Sequence, residues 1–586
     1  MRPHAPSARP VRPGDWRLLA RLWPLTRPHR GALFAGVGLM GLGALGRMAG
    51  PYLVKLAIDG PVARADPRGL AWLAALYLLV QAGVGAVEAG QTVLLRTRGE
   101  RILRDLRGRL FAKALRLPME RLDRTPAGTV VSRVSSDVAV LADLFSAGLV
   151  GVLGDIVLVL GILAVLFRLH AGLALTVLAV FPVLVVTSEW IRRGMREAYR
   201  SAREATARLT AAIHEHLRGA EVVRLFGARA WSLGQVEERG VENLRAQVRS
   251  VTLQALFFPL VELFSAVTLA LVLWRGAGFA GEGALSFGAL VAFFEYVQRL
   301  FRPLRDVGER VNVLQASLAA AERITGFLDE ASEAPGGRAR PHIRGEVVFD
   351  RVTFGYGGPD DVLREFELRV RPGESVALVG PTGSGKTTAV HLLLGFYPPR
   401  RGEIRIDGIP RSRIDPEWFA RHVALVPQDP VLLRDTVYEN IRLGREWVGP
   451  AQVEAAARAV GLHEMIEALP AGYDTPLGEE GAGLSSGQRQ LVAFARALAG
   501  APRILILDEA TSEVDQATEA QIEEALSVLL EGRTSLVVAH RLSTVRRVDR
   551  IAVLRRGRVA EQGSHDELLG RGGWYRSLYE LNLLRA

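Results

Sequence analysis

Cysteine is absent from this chain of 586 residues. Its absence excludes disulfide frameworks, cysteine-ligated zinc sites, thiol redox motifs and cysteine nucleophiles. Lysine is scarce as well, because it occurs only at Lys55, Lys113 and Lys386, and arginine supplies nearly all of the 73 basic residues. Residues 1–30 lack the short apolar core and the small-residue cleavage site of a signal peptide. We therefore expect them to form a cytoplasmic segment.

Hydrophobic residues make up 49% of the chain but are distributed unevenly. The mean hydropathy is positive, at +0.17, which argues against a wholly soluble protein of this size. Residues 1–330 carry long apolar runs, whereas the rest of the chain has the composition of a soluble α/β domain. This difference predicts a membrane half joined to a soluble half.

Six apolar stretches are each long enough to cross a bilayer, which takes ~20 residues of helix. They lie at about residues 31–54, 69–95, 144–167, 171–191, 251–274 and 283–301. Six such stretches in series favour a polytopic membrane domain over a set of buried core helices. We assign residues 31–327 to this transmembrane domain.

Arginine clusters in two connections between these stretches, at residues 96–134 and 192–249. By the positive-inside rule, both connections face the cytoplasm, and helices two to five continue beyond the bilayer as stalks. This placement explains the net charge of +11 without a nucleic-acid surface, which would gather basic and aromatic residues on one face. We expect a multi-pass protein of the cell membrane, with its N-terminus and soluble half in the cytoplasm and no nucleic-acid partner.

Ionisable residues inside the predicted spans are Arg47, Glu88, Asp155, Glu189, Glu262 and Glu295. An ionisable group in hydrocarbon is costly unless it faces a partner or a wet cavity. Each could line a substrate path, or could pair with another helix or extend toward the interface. The path is favoured for Asp155 and Glu262, because they lie furthest from the estimated span ends.

A stretch rich in proline, glycine and charge, Asp329–Arg340, follows the membrane half. It predicts a linker at residues 328–343 and a soluble domain at 344–586. In that domain a strand-like run, Ser375–Val379, precedes a glycine loop and a helical pattern that begins at Lys386. Strand, loop and helix in this order are the context that a phosphate-binding loop requires.

The loop matches the pattern G-x-x-x-x-G-K-[ST] in full. Its residues are Gly380, Pro381, Thr382, Gly383, Ser384, Gly385, Lys386 and Thr387, and Thr388 follows them. Backbone N–H groups of such a loop surround a phosphate, and the helix N-terminus points its positive end at the anion. We expect these residues to bind ATP, with Lys386 at the terminal phosphates and the Thr387 hydroxyl on Mg²⁺.

A second element of the site is the apolar run Ile504–Asp508, which predicts a strand ending in a carboxylate. We expect Asp508 to contribute to the magnesium site. Glu509 stands beside it and is suited to accept a proton from the attacking water. A solvated acid at a strand end is the alternative for Glu509.

The sequence GLSSGQRQ, residues 483–490, lies just upstream of this strand. It resembles the signature sequence of ABC transporter ATPases. Other motifs follow in that family's order. Tyr356 is similar to the family's adenine-stacking aromatic, although an aromatic residue at a strand end is commonly structural.

Gln428 is similar to the glutamine of the family's Q-loop, for which the resemblance implies a catalytic role and a place at Mg²⁺. Ser512–Asp515 resembles the D-loop, which implies that Asp515 lies at the nucleotide. His540, in the sequence VVAHRLSTV, resembles the switch histidine, which implies a hydrogen bond to the γ-phosphate.

Six spans followed by one nucleotide domain resemble the half-transporter layout of ABC exporters. The implied fold is an α-helical polytopic membrane domain, six long helices with cytoplasmic stalks, followed by an α/β phosphate-loop ATPase domain of the ABC type. Residues 117–138 and 209–229 resemble the cytoplasmic loops that carry the family's coupling helices. The implied function is ATP hydrolysis coupled to export of amphipathic or hydrophobic compounds, such as drugs, lipids or peptides. An ATP-gated channel or a lipid scramblase or flippase on the same scaffold is the alternative.

The resemblance also implies a partner chain, because two nucleotide domains of the family hold ATP between one phosphate loop and the other chain's signature. Ser485, Ser486, Gly487 and Gln488 would contact the partner's ATP. The signature contains LSSGQ where LSGGQ is commonest, and the D-loop has SEVD where SALD is usual. Intact Walker residues with an altered signature resemble the catalytic subunit of a heterodimeric exporter, so we favour a heterodimer over a homodimer.

Overall fold

The computed structural model describes residues 21, 24, 27–143, 149–332, 336–358, 360–508, 516–539 and 542–583. The chain divides into two compact units. The first comprises Met1–Leu115 and Ala127–Glu330, and the second comprises Arg116–Pro126 and Ala331–Ala586. The segment Arg116–Pro126, which the sequence analysis placed in the transmembrane domain, thus belongs to the second unit. The other predicted domain limits stay predictions.

The described part of the chain before the linker is helical. In chain order its helices are α1 Arg30–Ala57, α2 Pro67–Ala114, α3 Met119–Arg124, α4 Ala127–Ser132, α5 Val138–Asp143, α6 Leu149–Leu169, α7 Ala171–Arg218, α8 Ala220–Leu225, α9 Arg229–Gly281 and α10 Phe287–Asp329. Short π-helical turns lie at Ile58–Val62 and Arg133–Asp137. All of these helices except α3 belong to the first unit.

Polar side chains fix where several long helices begin. The Asp66 carboxylate accepts a hydrogen bond from the Arg68 amide at 3.0 Å, with Pro67 at the first helical position of α2. Ser286 accepts from the Ala289 amide at 3.1 Å and so caps α10. Such caps satisfy amides that the first turn of a helix leaves unpaired.

Five helices in the described part of the chain are long and apolar enough to cross a membrane. They are α1, α2, α6, α7 and α9. Because α7 has 48 residues and α9 has 53, both exceed the ~20 residues that a bilayer needs, as the predicted stalks require. The predicted span 144–167 begins outside the described residues, which resume at Leu149.

The sixth predicted span corresponds to the beginning of α10. This helix has 43 residues, but Glu295, Arg299 and Arg302 occupy its first part, and it is not among the five apolar helices. Its role as a span stays a prediction. The Tyr296 hydroxyl donates to the Met48 carbonyl oxygen at 2.6 Å, which joins α10 to α1 within a buried apolar core.

The second unit contains two sheets. Its strands are β1 Val347–Phe354, β2 Leu363–Val370, β3 Ser375–Val379, β4 Arg401–Ile406, β5 Ile409–Pro410, β6 Val423–Val426, β7 Ile504–Asp508, β8 Thr534–Val538, β9 Arg550–Arg555 and β10 Arg558–Gly563. Among the described residues, a four-stranded antiparallel sheet has the order β2-β1-β4-β5. A six-stranded sheet has the order β10-β9-β3-β8-β7-β6 and is parallel except for β10.

Helices accompany both sheets. After the linker they are α11 Lys386–Leu394, α12 Pro416–His422, α13 Val437–Arg442, α14 Pro450–Ala459, α15 His463–Glu467, α16 Ser486–Ala499, α17 Gln516–Leu530, α18 Leu542–Arg547, α19 His565–Arg571 and α20 Trp574–Leu583. In β3, Val376 and Leu378 belong to one buried cluster and Ala377 to another. Both faces of the six-stranded sheet are therefore covered, which explains why its central strands are continuous apolar runs.

Candidate functional site

The carboxyl ends of the parallel strands place the predicted motifs at one edge of the sheet. Leu378 pairs with Val538, and Val538 pairs with Asp508, so β3, β8 and β7 end at the same level. Gln428 follows β6, whose Val426 pairs with Leu507. In open parallel sheets this edge is where ligands bind.

The phosphate loop connects β3 to α11 in a conformation that its glycines permit. Gly385 has φ of 105° and a Cβ there would lie 2.6 Å from the Leu363 side chain. A Cβ on Gly380 would collide with the carbonyl oxygen of Leu554. Another residue would be strained at Gly385 by its positive φ and would meet the backbone at Gly380, so glycine lets the loop present its backbone closely to a ligand.

Lys386 lies inside this loop. Its side chain is buried, and the ammonium donates to the carbonyl oxygens of Gly380 at 2.7 Å and Pro381 at 3.3 Å. Burial lowers the pKa of Lys386, and the carboxylate of Asp508 opposes that shift. A buried ammonium held by carbonyl groups is favourably placed for an anion such as a phosphate.

The neighbouring Ser384 tests whether a phosphate fits the loop. Its hydroxyl oxygen is buried and has no hydrogen-bond partner among the residues that the structure describes. Leaving such a group unpaired costs about 1–3 kcal/mol, which a phosphate oxygen would recover. Thr382, Gly383 and Thr387 are exposed, so the loop is open to a ligand. The residues present therefore fit a triphosphate.

Tyr356 stands beside the first turns of α11. Its hydroxyl lies 3.3 Å from Thr388 Oγ1 and 3.3 Å from His391 Nδ1, and burial raises its pKa. The side chain is nevertheless 45% exposed. A half-exposed aromatic ring next to the phosphate loop suits stacking on a nucleotide base.

The signature residues form the start of α16. Ser485 caps the helix, because its Oγ accepts from the Gln488 amide at 3.2 Å and its own amide donates to Gln488 Oε1 at 2.9 Å. Ser486 is helical and is not among the residues with positive φ, so the second serine introduces no backbone strain. Ser485 and Ser486 are exposed, whereas Gly487 is buried. Among the described residues, these side chains form no hydrogen bond with the chain's own phosphate loop.

Three predicted site residues, Glu509, Asp515 and His540, lie outside the described residues.

Sequence reasoning missed three residues that the structure brings to Tyr356. These are Asp123, His391 and Tyr397. The pair Phe396–Tyr397 directly after α11 was the available signal for the last of them.

The charges predicted inside the spans are mostly paired in the structure. Asp155 on α6 forms an ion pair with Arg310 on α10, with 2.7 Å between Oδ2 and Nε. Arg47 on α1 bonds Glu88 on α2 at 2.6 Å.

Two of the remaining acidic residues have basic partners on their own helices. Glu189 bonds Arg196 at 2.8 Å, and Glu295 lies 3.5 Å from Arg299, one turn further along α10. Glu262 is exposed on α9. The pairing interpretation therefore applies to most of these groups, and whether any of them lines a substrate path stays open.

An open groove of about 420 Å³ lies between α7 and α9. Its lining is mainly apolar and includes Leu175, Ala179, Val183, Phe264, Val267 and Leu271. At one end, Arg275 donates to Thr176 Oγ1 at 3.1 Å. The groove thus combines an apolar surface with a single cationic end.

Two family models match the chain. The ABC transporter transmembrane region matches residues 33–304, and the ABC transporter model matches residues 363–512. An uncharacterized ABC transporter ATP-binding protein of Bacillus subtilis, YknV, is 33% identical over 576 residues, which are 97% of this chain and 95% of that protein. The ATP-dependent lipid A-core flippase of Alkalilimnicola ehrlichii is 35% identical over 570 residues, which are 97% of each chain.

A solved structure of a bacterial Atm1-family ABC exporter with ATP bound is also similar. The TM-score is 0.76 at 28% identity, and the match covers 94% of this chain and 98% of that one. Fold and site together define an ATP-driven membrane transporter. The chain belongs to the ABC transporter family and has the half-transporter layout of its exporters. The predicted family and fold class are confirmed.

Membership has direct consequences for activity and assembly. The chain is a multi-pass membrane protein that binds ATP and couples its hydrolysis to export across the membrane. Because ABC exporters work as dimers, it is one half of a dimeric transporter.

Proposed function

We propose that this chain exports a lipid or another amphipathic compound with energy from ATP hydrolysed at the carboxyl edge of the six-stranded sheet. The observation that carries the ATP site is the phosphate loop, where the Lys386 ammonium is buried and the Ser384 hydroxyl lacks a partner among the described residues. The substrate class is supported by the lipid A-core flippase, which is similar over nearly its whole length. The apolar groove between α7 and α9, with Arg275 at one end, has the chemistry that an amphipathic anion requires.

Each residue of the edge has a proposed task. Thr387, Asp508 and Gln428 are the residues that would hold Mg²⁺, because a hydroxyl, a carboxylate and an amide oxygen are hard ligands. When bound, Mg²⁺ offsets the charge of the phosphates. Glu509 would accept the proton of the attacking water, and His540 would hydrogen-bond the γ-phosphate.

The remaining contacts would come from the partner chain's signature. In this chain the exposed Ser485 and the amides of the first turn of α16 are available to a γ-phosphate. The altered D-loop and signature support a heterodimer whose companion supplies the commoner LSGGQ motif. Because Ser486 is helical, it does not strain the backbone, and only its added hydroxyl distinguishes it from glycine at the partner's nucleotide.

A reconstituted transport assay tests the substrate class. The purified transporter is placed in liposomes that carry a fluorescent phospholipid, and transfer between leaflets is followed by quenching with dithionite. We expect directional, ATP-dependent transfer that Glu509→Gln abolishes. Bidirectional transfer without ATP would indicate a scramblase, and ATP-dependent conductance an ATP-gated channel. Uptake of dyes or peptides by inside-out vesicles, without lipid transfer, would show that the substrate is a drug-like compound or a peptide instead of a lipid.

Purification of this chain alone tests the partner. Weak ATPase activity that one co-expressed half-transporter restores is the expected result for a heterodimer. Brisk, cooperative ATPase activity and transport from the chain by itself would show a homodimer instead.

A further inference from the structure

The ring of Tyr356 is held between two other aromatic residues. The Phe354 ring meets it edge to face, with 5.0 Å between centroids, and the Tyr397 ring does the same at 5.1 Å and 89°. Because both neighbours contact the ring in T-shaped geometry, they set its orientation while part of it stays exposed. The hydroxyl contacts to Thr388 and His391, both at 3.3 Å, are long and hold the ring only weakly.

Tyr397 is itself fixed by a charged partner far away in the sequence. Its ring is buried, and its hydroxyl donates to the carboxylate of Asp123 on α3. Burial and the nearby Asp123 carboxylate raise the pKa of Tyr397, so the hydroxyl keeps its proton and remains the donor. A hydrogen bond to a carboxylate is about twice as strong as one between neutral groups.

The short helix α3 is anchored to the same unit by apolar contacts. Leu117, just before the helix, is buried, and Met119 packs against the core cluster that contains Phe354 and Tyr397. Asp123 therefore stands on a segment whose position the core determines.

Arg124, the next residue of α3, reaches the loop that carries Tyr356. Its guanidinium occupies the space that a Cβ on Gly357 would need, and Gly357 has φ of 64°. Glycine is the residue that tolerates both conditions. Helix α3 is thus linked to Tyr356 in two indirect ways, through the Tyr397 side chain and through the backbone at Gly357.

We propose that Tyr397 and Asp123 are positioning residues that hold the Tyr356 ring in the orientation in which it stacks on adenine. The inference rests on the proposed role of Tyr356 at the nucleotide. A ring that is already oriented loses less freedom when the base binds, so the pair raises affinity for the base and leaves the phosphate contacts unchanged.

The test compares two ligands on the full transporter in lipid nanodiscs. One is the non-hydrolysable analogue AMP-PNP, which has the base, and the other is inorganic tripolyphosphate, which lacks it; both are titrated with Mg²⁺. Tyr397→Phe removes only the hydroxyl, so we expect about threefold to tenfold weaker AMP-PNP binding and unchanged tripolyphosphate binding. Asp123→Ala should weaken AMP-PNP binding by a similar factor and leave tripolyphosphate binding unchanged. Asp123→Asn keeps an acceptor oxygen and should stay within about twofold of the wild type.

A double variant and a control complete the experiment. Tyr397→Phe with Asp123→Ala should weaken AMP-PNP binding no more than either change alone, because both remove one bond. Tyr473→Phe is the matched control, since this hydroxyl bonds His463 Nδ1 at 2.9 Å elsewhere in the unit, and it should leave both ligands unaffected.

Two outcomes would overturn the proposal, and a further variant separates it from the role of Tyr356. Equal losses for both ligands in Tyr397→Phe would indicate a general structural effect, and no loss would show that the bond does not orient the ring. If Tyr356→Ala selectively weakens AMP-PNP while Tyr397→Phe does not, only the positioning role fails. If Tyr356→Ala has no selective effect, the adenine role of Tyr356 fails first.

Discussion

Polar groups of the phosphate loop and ionisable groups of the long helices differ in whether the protein itself satisfies them. At the loop, the Ser384 hydroxyl is buried, and no residue in the described part of the chain is its hydrogen-bond partner. In the helical unit, Asp155 and Arg310 form an ion pair at 2.7 Å, with side chains 23% and 25% exposed. The Ser384 hydroxyl can therefore bond a ligand, whereas Asp155 and Arg310 already neutralise each other.

This difference separates a ligand site from a packing contact. A buried polar group without a partner costs free energy, and a ligand that supplies the missing bond recovers it. A charge that already has an opposite charge beside it is stabilised without any substrate. Arg310 therefore compensates the charge of Asp155 without a substrate, and a role of Asp155 in a substrate path stays a prediction.

The largest expected effect lies at the nucleotide site. We predict that Glu509→Gln keeps ATP binding but lowers ATPase turnover by about 10²-fold or more, because the proton acceptor is removed. Lys386→Ala should instead weaken ATP binding, because the phosphate loses the buried ammonium. Steady-state hydrolysis and equilibrium nucleotide binding on the same preparations separate the two effects.

Glu524→Gln is the matched control for this prediction, since Glu524 is an exposed glutamate on α17 in the same unit. It should leave both measurements unchanged. Normal ATPase activity of the Glu509→Gln variant would remove Glu509 from its proposed role.

The next effect concerns communication between the two units. We predict that Leu117→Pro lowers transport about tenfold more than it weakens ATP binding, because Leu117 is buried where the chain enters α3. His214→Pro, in the interior of α7, should uncouple in the same way, since proline breaks a helix at ~3 kcal/mol or more. Transport and ATP binding are measured on correctly inserted protein, with Leu117→Ile as the control. Normal transport in both proline variants would contradict the coupling role of these segments.

Local motifs made the nucleotide site predictable. The phosphate loop and Asp508 are short patterns next to apolar strands, so the local sequence was enough to assign both to one nucleotide site. The long helices α2, α7 and α9 were predictable for a similar reason, because hydropathy and length are local properties.

Contacts between distant residues were not predictable in this way. Tyr397 and Asp123 are 274 positions apart, and no local pattern links them. The bond between Asp155 and Arg310 joins two helices whose relative rotation a single sequence does not specify. The sequence showed that Asp155 needs a partner in the membrane but could not tell whether that partner is a side chain or a substrate.

A smaller effect is expected when one of the paired charges is removed. We predict that Arg310→Ala lowers the free energy of unfolding by about 2 kcal/mol, because it leaves the mostly shielded Asp155 without its counter-charge. Arg47→Ala should cost less than about 1 kcal/mol, because Arg47 and Glu88 are 47% and 39% exposed. Thermal unfolding in detergent measures both. In the Arg310→Ala background, Asp155→Asn should recover part of the lost free energy of unfolding. Equal losses in Arg310→Ala and Arg47→Ala would contradict the prediction that the less exposed pair contributes more.

The smallest expected effect is at the signature, where the chain departs from the family's commonest sequence. We predict that Ser486→Gly changes ATPase activity by less than about threefold, because Ser486 is helical and has no positive φ that glycine would relieve. Ser485→Ala is the comparison, since it removes a helix cap worth ~1 kcal/mol and an exposed hydroxyl suited to phosphate, and should lower activity more. Steady-state ATPase assays of the assembled dimer measure both. A tenfold rise with Ser486→Gly would show that the serine hydroxyl obstructs the partner's nucleotide, which would strengthen the case for a companion with the commoner motif. A change within threefold leaves the D-loop substitution as the remaining argument for a heterodimer.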